Sequence, residues 1–435
     1  MALQPTCLFL LLAAPGIAAP KAPPPAIDAE IKAAADAVNA RVVETRRDLH
    51  RHPELSNREE RTGKLVAERL RALGLDEVRY PVARTGVVGV LKGSRPGPVV
   101  ALRADMDALP ILEKRDTPYK SENAGVMHAC GHDAHTAMLL GAAEVLVKLK
   151  GRLPGTVVFL FQPAEEGPPE GEDGGAPMMV KEGALDNPKV EAVFGLHVAL
   201  GVDVGHIGFT EGPIMASSDA FTVEVQGRSV HGAMPHLGQD PVPAAAEIVQ
   251  GLQLIVSREI DAQQPKVLSI GRIQGGTRFN IIADRVTMDG TLRTFDPAVR
   301  ADMKARMERT VKGVAEAQGL TASLRFIDEG NAPTVNDPPL TRRSLPALER
   351  IFGKEGVVAI RPLMVAEDFS VYAARVPALL LILGARNRAK GIESVNHTAD
   401  FDIDEAALPL GVRTLVTLAW HHLSSSGREA KVSVP

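Results

Sequence analysis

Aromatic side chains are scarce in this chain, 4% of 435 residues with a single tryptophan, Trp420. A surface that stacks on single-stranded nucleic acid needs several of them, so that class is excluded. Charge of one sign is missing as well. Lysine plus arginine number 49 against 53 acidic residues, and no long basic run occurs. This balance leaves no electrostatic reason to hold nucleic acid or an anionic membrane. Cysteine is nearly absent, Cys7 and Cys130 being the only two, which excludes a disulfide framework. Past the N-terminal region no stretch approaches the roughly 18 apolar residues of a membrane helix, so a soluble mature chain is expected.

The N-terminal region itself reads differently. Leu8-Phe9-Leu10-Leu11-Leu12-Ala13-Ala14 is a short apolar run followed by small residues, with Gly16-Ile17-Ala18 as a cleavage site. Although no lysine or arginine precedes it, the pattern is that of a secretory signal peptide over residues 1–19. Export to a bacterial periplasm or the medium is expected rather than a cytoplasmic location. Ala22-Pro23-Pro24-Pro25-Ala26 then reads as an extended linker, and the mature chain keeps one thiol, Cys130.

What is present in quantity is apolar residue, 45%, enough for the cores of two domains. Helical spacing runs over residues 28–73. Short apolar runs follow at Val99–Leu102, Thr156–Phe161, Ala192–Leu196 and Ala378–Leu383, separated by helical patterns such as Thr136–Leu149. This alternation predicts an α/β sheet covered on both faces. The middle of the chain has another rhythm: a strand at Phe221–Val225, a helix from Pro241 to Ile260, strands at Lys266–Ile273 and Arg285–Thr294, a helix from Pro297 to Gln318, and a strand at Ala322–Ile327. That is the split β-α-β-β-α-β order of a ferredoxin-like α+β unit. The expected organisation is a catalytic domain in two halves, 27–213 and 329–425, with a lid or dimerisation domain inserted at 214–328.

In open α/β sheets, ligands bind beyond the carboxyl ends of the strands. Those ends carry chemistry here. Val99–Leu102 leads to Arg103-Ala104-Asp105-Met106-Asp107, Thr156–Phe161 to Gln162-Pro163-Ala164-Glu165-Glu166, and the strand ending at Leu196 to His197. Between the first two lies His128-Ala129-Cys130-Gly131-His132, and Asn396-His397-Thr398 precedes the last helix. Cysteine, histidine and glutamate together suit zinc or a similar borderline divalent ion. Cys130 and His132 can address one centre, and a thiolate can bridge two ions. Adjacent Glu165 and Glu166 diverge, so one can ligate while the other faces the attacking water, the division hydrolysis requires.

These motifs, from His50-Arg51-His52-Pro53-Glu54 to His397, resemble the aminoacylase and carboxypeptidase group of two-metal amidohydrolases, and within it the branch of hippurate hydrolase and the plant auxin-conjugate hydrolases. The resemblance implies two divalent ions per subunit (Zn, Mn, Co or Ni). Cys130 is implied as the bridging ligand, with His132 and His197 completing one metal site and Glu166 and His397 the other. Glu165 is implied as general base. Asp105 is implied as a carboxylate orienting a ligand, as metal histidines commonly require. In the insert, His231 is implied in oxyanion stabilisation and Asn280 in substrate binding, by groups that in relatives can reach a neighbouring subunit's site. Asp240-Pro241 and Glu367-Asp368-Phe369 also match, with only a structural role assigned. The chain departs from the pattern at Ala134, where relatives often have glycine, and at Val365, where they often have a small residue; both bear on pocket shape alone.

The function this implies is hydrolysis of the amide bond of small N-acyl-L-amino acids, in an enzyme expected as a homodimer or higher oligomer through its insert. Alternatives are a dipeptidase or carboxypeptidase using the same site, a non-catalytic amide-binding protein of the same fold, and a thiol hydrolase with Cys130 as nucleophile. His128, His135 and His236 are read as helix capping or pocket wall, His421-His422 as a solvated helix end, and Arg293 as either a partner for a substrate carboxylate or half of a surface ion pair.

Overall fold

The computed structural model describes residues 25–327 and 330–429; the signal segment expected at 1–19 lies outside them. The chain opens with helices α1 (Pro25–Arg51) and α2 (Glu60–Ala72). The helical spacing over 28–73 is thus split in two. Pro53 has no amide to continue the ladder, and residues 53–59 spend their polar groups on neighbouring loops. Next come β1 (Glu77–Val82), β2 (Gly86–Lys92), β3 (Arg95–Asp105), α3 (His132–Leu149), β4 (Pro154–Gln162), α4 (Gly175–Lys181), β5 (Ala192–Asp203), β6 (Ile207–Phe209) and β7 (Gly212–Met215).

The insert follows, with β8 (Asp219–Gln226), α5 (Pro241–Leu254), β9 (Lys266–Gly275), β10 (Arg285–Thr294), α6 (Pro297–Ala317) and β11 (Thr321–Phe326). The return to the larger unit runs through β12 (Thr334–Asn336), α7 (Pro338–Phe352), β13 (Val357–Ala359), α8 (Ser370–Ala373), β14 (Ala378–Arg386) and α9 (Ala407–Glu429). Three of these helices start at Asp-Pro pairs. Asp240, Asp296 and Asp337 each accept a backbone N–H of the first turn, and the proline behind each sits where no amide bond is needed.

Eight strands form the large sheet in the order β1-β2-β4-β3-β5-β14-β6-β13. Its centre, β4-β3-β5-β14, is parallel, and β1, β2 and β6 pair antiparallel toward the margins. Strand periodicity sorts the side chains between two cores. On β4, Val157, Phe159 and Phe161 join the core beneath α1, α3 and α9, while Val158 and Leu160 join the one beneath α4 and α8. Burial on both faces explains why these strands read as continuous apolar runs. The insert is a four-stranded antiparallel sheet, β11-β8-β10-β9. Its own core packs Phe221, Val223, Met288 and Leu292 against Ile248, Leu252, Met307 and Val311 of α5 and α6. One correction concerns the chain end: His421 is buried and His422 mostly so, packed edge-on to Phe194, because α9 lies against the sheet along that length. No helix among the described residues is long and apolar enough to cross a membrane.

Candidate metal centre

The three central parallel strands β3, β4 and β5 deliver their following residues to one place. β3 ends at Asp105, and the chain returns through the loop to Cys130 and His132 at the start of α3. Gly131 between them has φ +96°, and a Cβ there would stand 2.2 Å from Val198 Cγ2. Only glycine fits, and the left-handed turn it allows aims Cys130 and His132 at the same point. His197 sits within β5 rather than after it, since β5 runs on to Asp203 alongside β14. It nonetheless projects past Gly195, where the ladder with β3 stops.

Five side chains from separate segments meet here. Cys130 Sγ lies 3.4 Å from His197 Nε2 and 3.3 Å from His397 Nε2. His397 Nε2 is 3.0 Å from Glu166 Oε1. Ligand atoms of Cys130, His132 and His197 fall within 4.8 Å of one another, as do those of Cys130, Glu166 and His397, and those of His132, Glu165 and Glu166. Cys130 is thus common to two groups, the arrangement a bridging sulfur requires.

The ring nitrogens decide which histidines can ligate. His197 Nδ1 faces the Val198 carbonyl at 2.8 Å; a carbonyl only accepts, so Nδ1 carries the hydrogen and Nε2 turns a lone pair to the cluster. His132 Nδ1 faces Asp107 Oδ1 at 3.2 Å, and its Nε2 is buried without a partner. Glu166 Oε1 is likewise buried, with His397 Nε2 beside it at 3.0 Å. Orphaned buried acceptors are costly and rare. A divalent pair fits them, since the donor set is one sulfur, three imidazoles and a carboxylate. His135 is excluded as a ligand despite standing 4.8 Å, ring to ring, from His197. Its Nδ1 is held by Asp105 at 2.6 Å and its Nε2 accepts the Val198 N–H at 2.8 Å.

This geometry corrects the part expected of Asp105. Its carboxylate is taken by His135 and by Arg103 at 2.6 Å, and it stays 3.8 Å from His132 Nε2. Asp107, two residues on, is the carboxylate bonded to His132, and it also accepts the Ser56 hydroxyl at 2.8 Å and the Glu166 amide at 3.0 Å. Arg103 is fully buried and holds Asp105, Glu367, Asp368 and Gln162 together. Sequence reading missed Asp107, His135 and Arg103 as site residues, although all three belong to motifs it singled out.

Electrostatics follow from this crowding. Burial, then Glu367, Glu166 and Asp368, push Glu165 well above the usual carboxylate range; its side chain is only 9% exposed and its Oε2 lies 3.8 Å from His132 Nε2. Burial, helped by His135, holds His197 neutral with a pKa near 3, the form that ligates a metal. His397 is raised to about 10 by its hydrogen bonds to Cys130 and Glu166. It is the most exposed of the five, at 52% of its side chain, and faces the open side of the cluster.

His231 and Asn280 are brought to each other but not to this cluster. Their strands meet at an isolated bridge between His231 and Ile281, and the Gly232 amide donates to the Asn280 carbonyl at 2.8 Å. Among the described residues no hydrogen bond or ion pair links either to the five clustered side chains. Asn280 Oδ1 is buried without a partner. Arg293 is half-buried, bonded only to Thr291 Oγ1 at 3.1 Å and to no carboxylate among the described residues. His236 lies exposed on a short turn, and His128 is buried with both ring nitrogens unpartnered.

A mixed α/β sheet carrying a cysteine–histidine–glutamate cluster beside a buried, proton-avid glutamate defines a metal-dependent amidohydrolase or peptidase. Residues 101–421 match the profile of peptidase family M20/M25/M40, and the chain belongs to that family. It is 42% identical over 378 residues to thermostable carboxypeptidase 1 of Saccharolobus solfataricus, covering 87% of this chain and 94% of that one. To N-acyl-L-amino acid amidohydrolase of Geobacillus stearothermophilus it is 45% identical over 307 residues, 71% of this chain and 81% of the relative. Among solved structures, a dinuclear metal binding peptidase of the M20 family from Bacillus subtilis superimposes with a TM-score of 0.75 at 35% identity, over 90% of this chain and 99% of that one.

Proposed function

We propose that this protein hydrolyses the amide bond of N-acyl-L-amino acids. The observation that carries this reading is the position of Glu165, nearly buried and 3.8 Å from His132 Nε2 at the edge of the ligand cluster. Cys130, His132 and His197 would hold one divalent ion and Cys130, Glu166 and His397 the other, and the sulfur and imidazole donors suit zinc. When bound, such ions lower the pKa of water and polarise a carbonyl. The chain's residues do the rest. Glu165, as a carboxylate, takes the proton from the attacking water, and its raised proton affinity suits it to hold that proton until it is returned to the departing amine nitrogen. His231 and Asn280 support substrate from the insert, His231 as a hydrogen-bond donor toward the developing oxyanion. Arg293, a half-buried cation in no ion pair among the described residues, suits the carboxylate of the amino-acid half of the substrate.

Peptide cleavage at the same site is the second reading, favoured by the 42% identity to a protein named a carboxypeptidase. Both substrates present a carboxylate beside an amide, and the acyl half distinguishes them. The mature chain acts outside the cytoplasm, as the apolar run at residues 8–14 suggests, and pairs with a second copy through the insert, whose Phe279 and Ile281 stand exposed beside the edge strand β9.

The test is metal analysis of the purified chain combined with turnover of an N-acetyl-L-amino acid and dipeptide panel. About two divalent ions per chain, activity lost to a chelator and restored by metal, and a Glu165→Gln variant that keeps both ions but loses at least about a thousandfold in kcat are expected. Turnover that survives complete metal removal, or full activity in Glu165→Gln, would overturn the assignment.

A further inference from the structure

Neighbouring side chains on an extended strand point to opposite faces, yet Glu165 and Glu166 both bring a carboxylate within 4.8 Å of His132's ligand nitrogen. The chain achieves this just after β4. Ala164 takes φ +52°, a left-handed conformation that a residue with a Cβ disfavours. The alanine is buried, and the Cβ of any residue replacing Gly174 would come within 3.2 Å of its own Cβ. A reversed turn of this kind persists only where its surroundings over-determine it. Two amides fix it. Glu166 N–H is held by Asp107, while Ala164 N–H donates to Glu59 Oε1 at 2.8 Å.

Glu59 is well placed for this. It stands immediately before α2, completely buried, with its second oxygen accepting the Thr85 hydroxyl at 2.6 Å. Thr85 in turn closes a turn in which Ala83 and Arg84 are also left-handed, and its carbonyl packs so closely on α2 that a Cβ at Gly63 would lie 2.1 Å away. The carboxylate is therefore anchored on a rigid corner, far in sequence from the loop it holds. Among the described residues, this is the only hydrogen bond that the Ala164 amide makes.

We propose that Glu59 is a positioning residue for the base: its carboxylate grips the Ala164 amide and keeps the left-handed turn that sets Glu165 at the ligand cluster. This rests on the reading of Glu165 as general base. The hydrogen bond matters rather than the charge, because a neutral acceptor at the same place would hold the same amide. Glycine at 164 would adopt the turn without a Cβ penalty and so would lean on Glu59 less.

The experiment uses the metal-loaded full chain and N-acetyl-L-methionine as probe, comparing Glu59→Ala, Glu59→Gln, Ala164→Gly and the Glu59→Ala/Ala164→Gly pair. Expected for Glu59→Ala is a fall in kcat of about 10- to 100-fold, the scale of a misplacement near 1 Å, with KM within about threefold and both ions retained. Glu59→Gln stays within about threefold of the parent, and adding Ala164→Gly to Glu59→Ala restores at least about a fivefold part of the loss. Hydrogen–deuterium exchange over residues 160–168 adds a readout free of turnover: faster exchange at the Ala164 amide in Glu59→Ala, not in Glu59→Gln. Parental kcat and exchange in Glu59→Ala would overturn the proposal, as would a Glu59→Gln variant as impaired as Glu59→Ala. Should Glu59→Ala not fold, Thr85→Val loosens the same anchor and must shift exchange and kcat in the same direction; no change in either overturns it. If Glu165→Gln keeps turnover while exchange responds as described, the base assignment fails and the grip of Glu59 on the turn stands.

Discussion

Asp107 divides two oxygens among three donors: the His132 ring, the Ser56 hydroxyl and the Glu166 amide. It thereby fixes one ligand from each of the two proposed metal sets. Asp107→Asn keeps the shape but replaces one acceptor oxygen with a donor, so at least one of the three bonds is lost. Metal affinity is expected to fall about 10- to 100-fold, read by competition with a chelator of known affinity; unchanged affinity would show that His132 needs no such support. Within Arg103-Ala104-Asp105-Met106-Asp107 the sequence offers two aspartates with equal local claim, and the resemblance points to Asp105. What separates them is long-range. Arg103 is buried beneath Glu367 and Asp368, residues some 260 positions away, and it draws Asp105 inward, leaving Asp107 to meet the histidine. The ligand types themselves were legible, since Cys-Gly-His and Glu-Glu each carry a local reason for their spacing. The bonds that orient them were not, because each joins two distant segments.

At the scale of elements, β9 is the edge strand of the insert's sheet, paired with β10 on one side and with no strand among the described residues on the other, and five of its last six residues are exposed. Beside it Phe279 is 94% exposed, with Ile273 and Ile281 exposed too. Apolar side chains next to a free strand edge invite a second strand. Phe279→Asp is therefore expected to shift the chain toward monomer in sedimentation equilibrium without disturbing its metal content. A variant that associates as the parent does would place the contact elsewhere. The alternation of strands and helices made both sheets legible in sequence, and the helices expected from Pro241 and Pro297 start at those residues. The gap between α1 and α2 was not legible, because residues 53–59 earn their irregular path through partners such as Asp107, Thr85 and Ala164 that sequence spacing does not reveal.

For the whole molecule, acid stability depends on the end of α9. His422 is held at a pKa near 4 by burial and then by Arg343 and His421, and His421 is lowered as well. A histidine kept neutral in the fold and free to charge in the unfolded chain gives stability that is full above about pH 6.5 and declines as pH falls toward 4. At about 1.4 kcal/mol per unit, His422 contributes up to about 3 kcal/mol of that decline. His422→Gln should flatten the slope of unfolding free energy between pH 6.5 and 4, measured by denaturant titration; an unaltered slope would assign the loss to other groups. Two adjacent histidines near a chain end look solvated in sequence, and only the packing of a long terminal helix across the sheet buries them.

Cys130 is the one cysteine among the described residues, and its sulfur touches a histidine from each side of the cluster. A molecule built this way keeps a single-atom record of its exposure to oxidants. Adding oxygen to that sulfur takes away the atom both ligand groups share, and among the described residues there is no second thiol to trap the damage as a reversible disulfide. The working life of each copy in an oxidising setting is then set by how rarely that one atom is left uncovered.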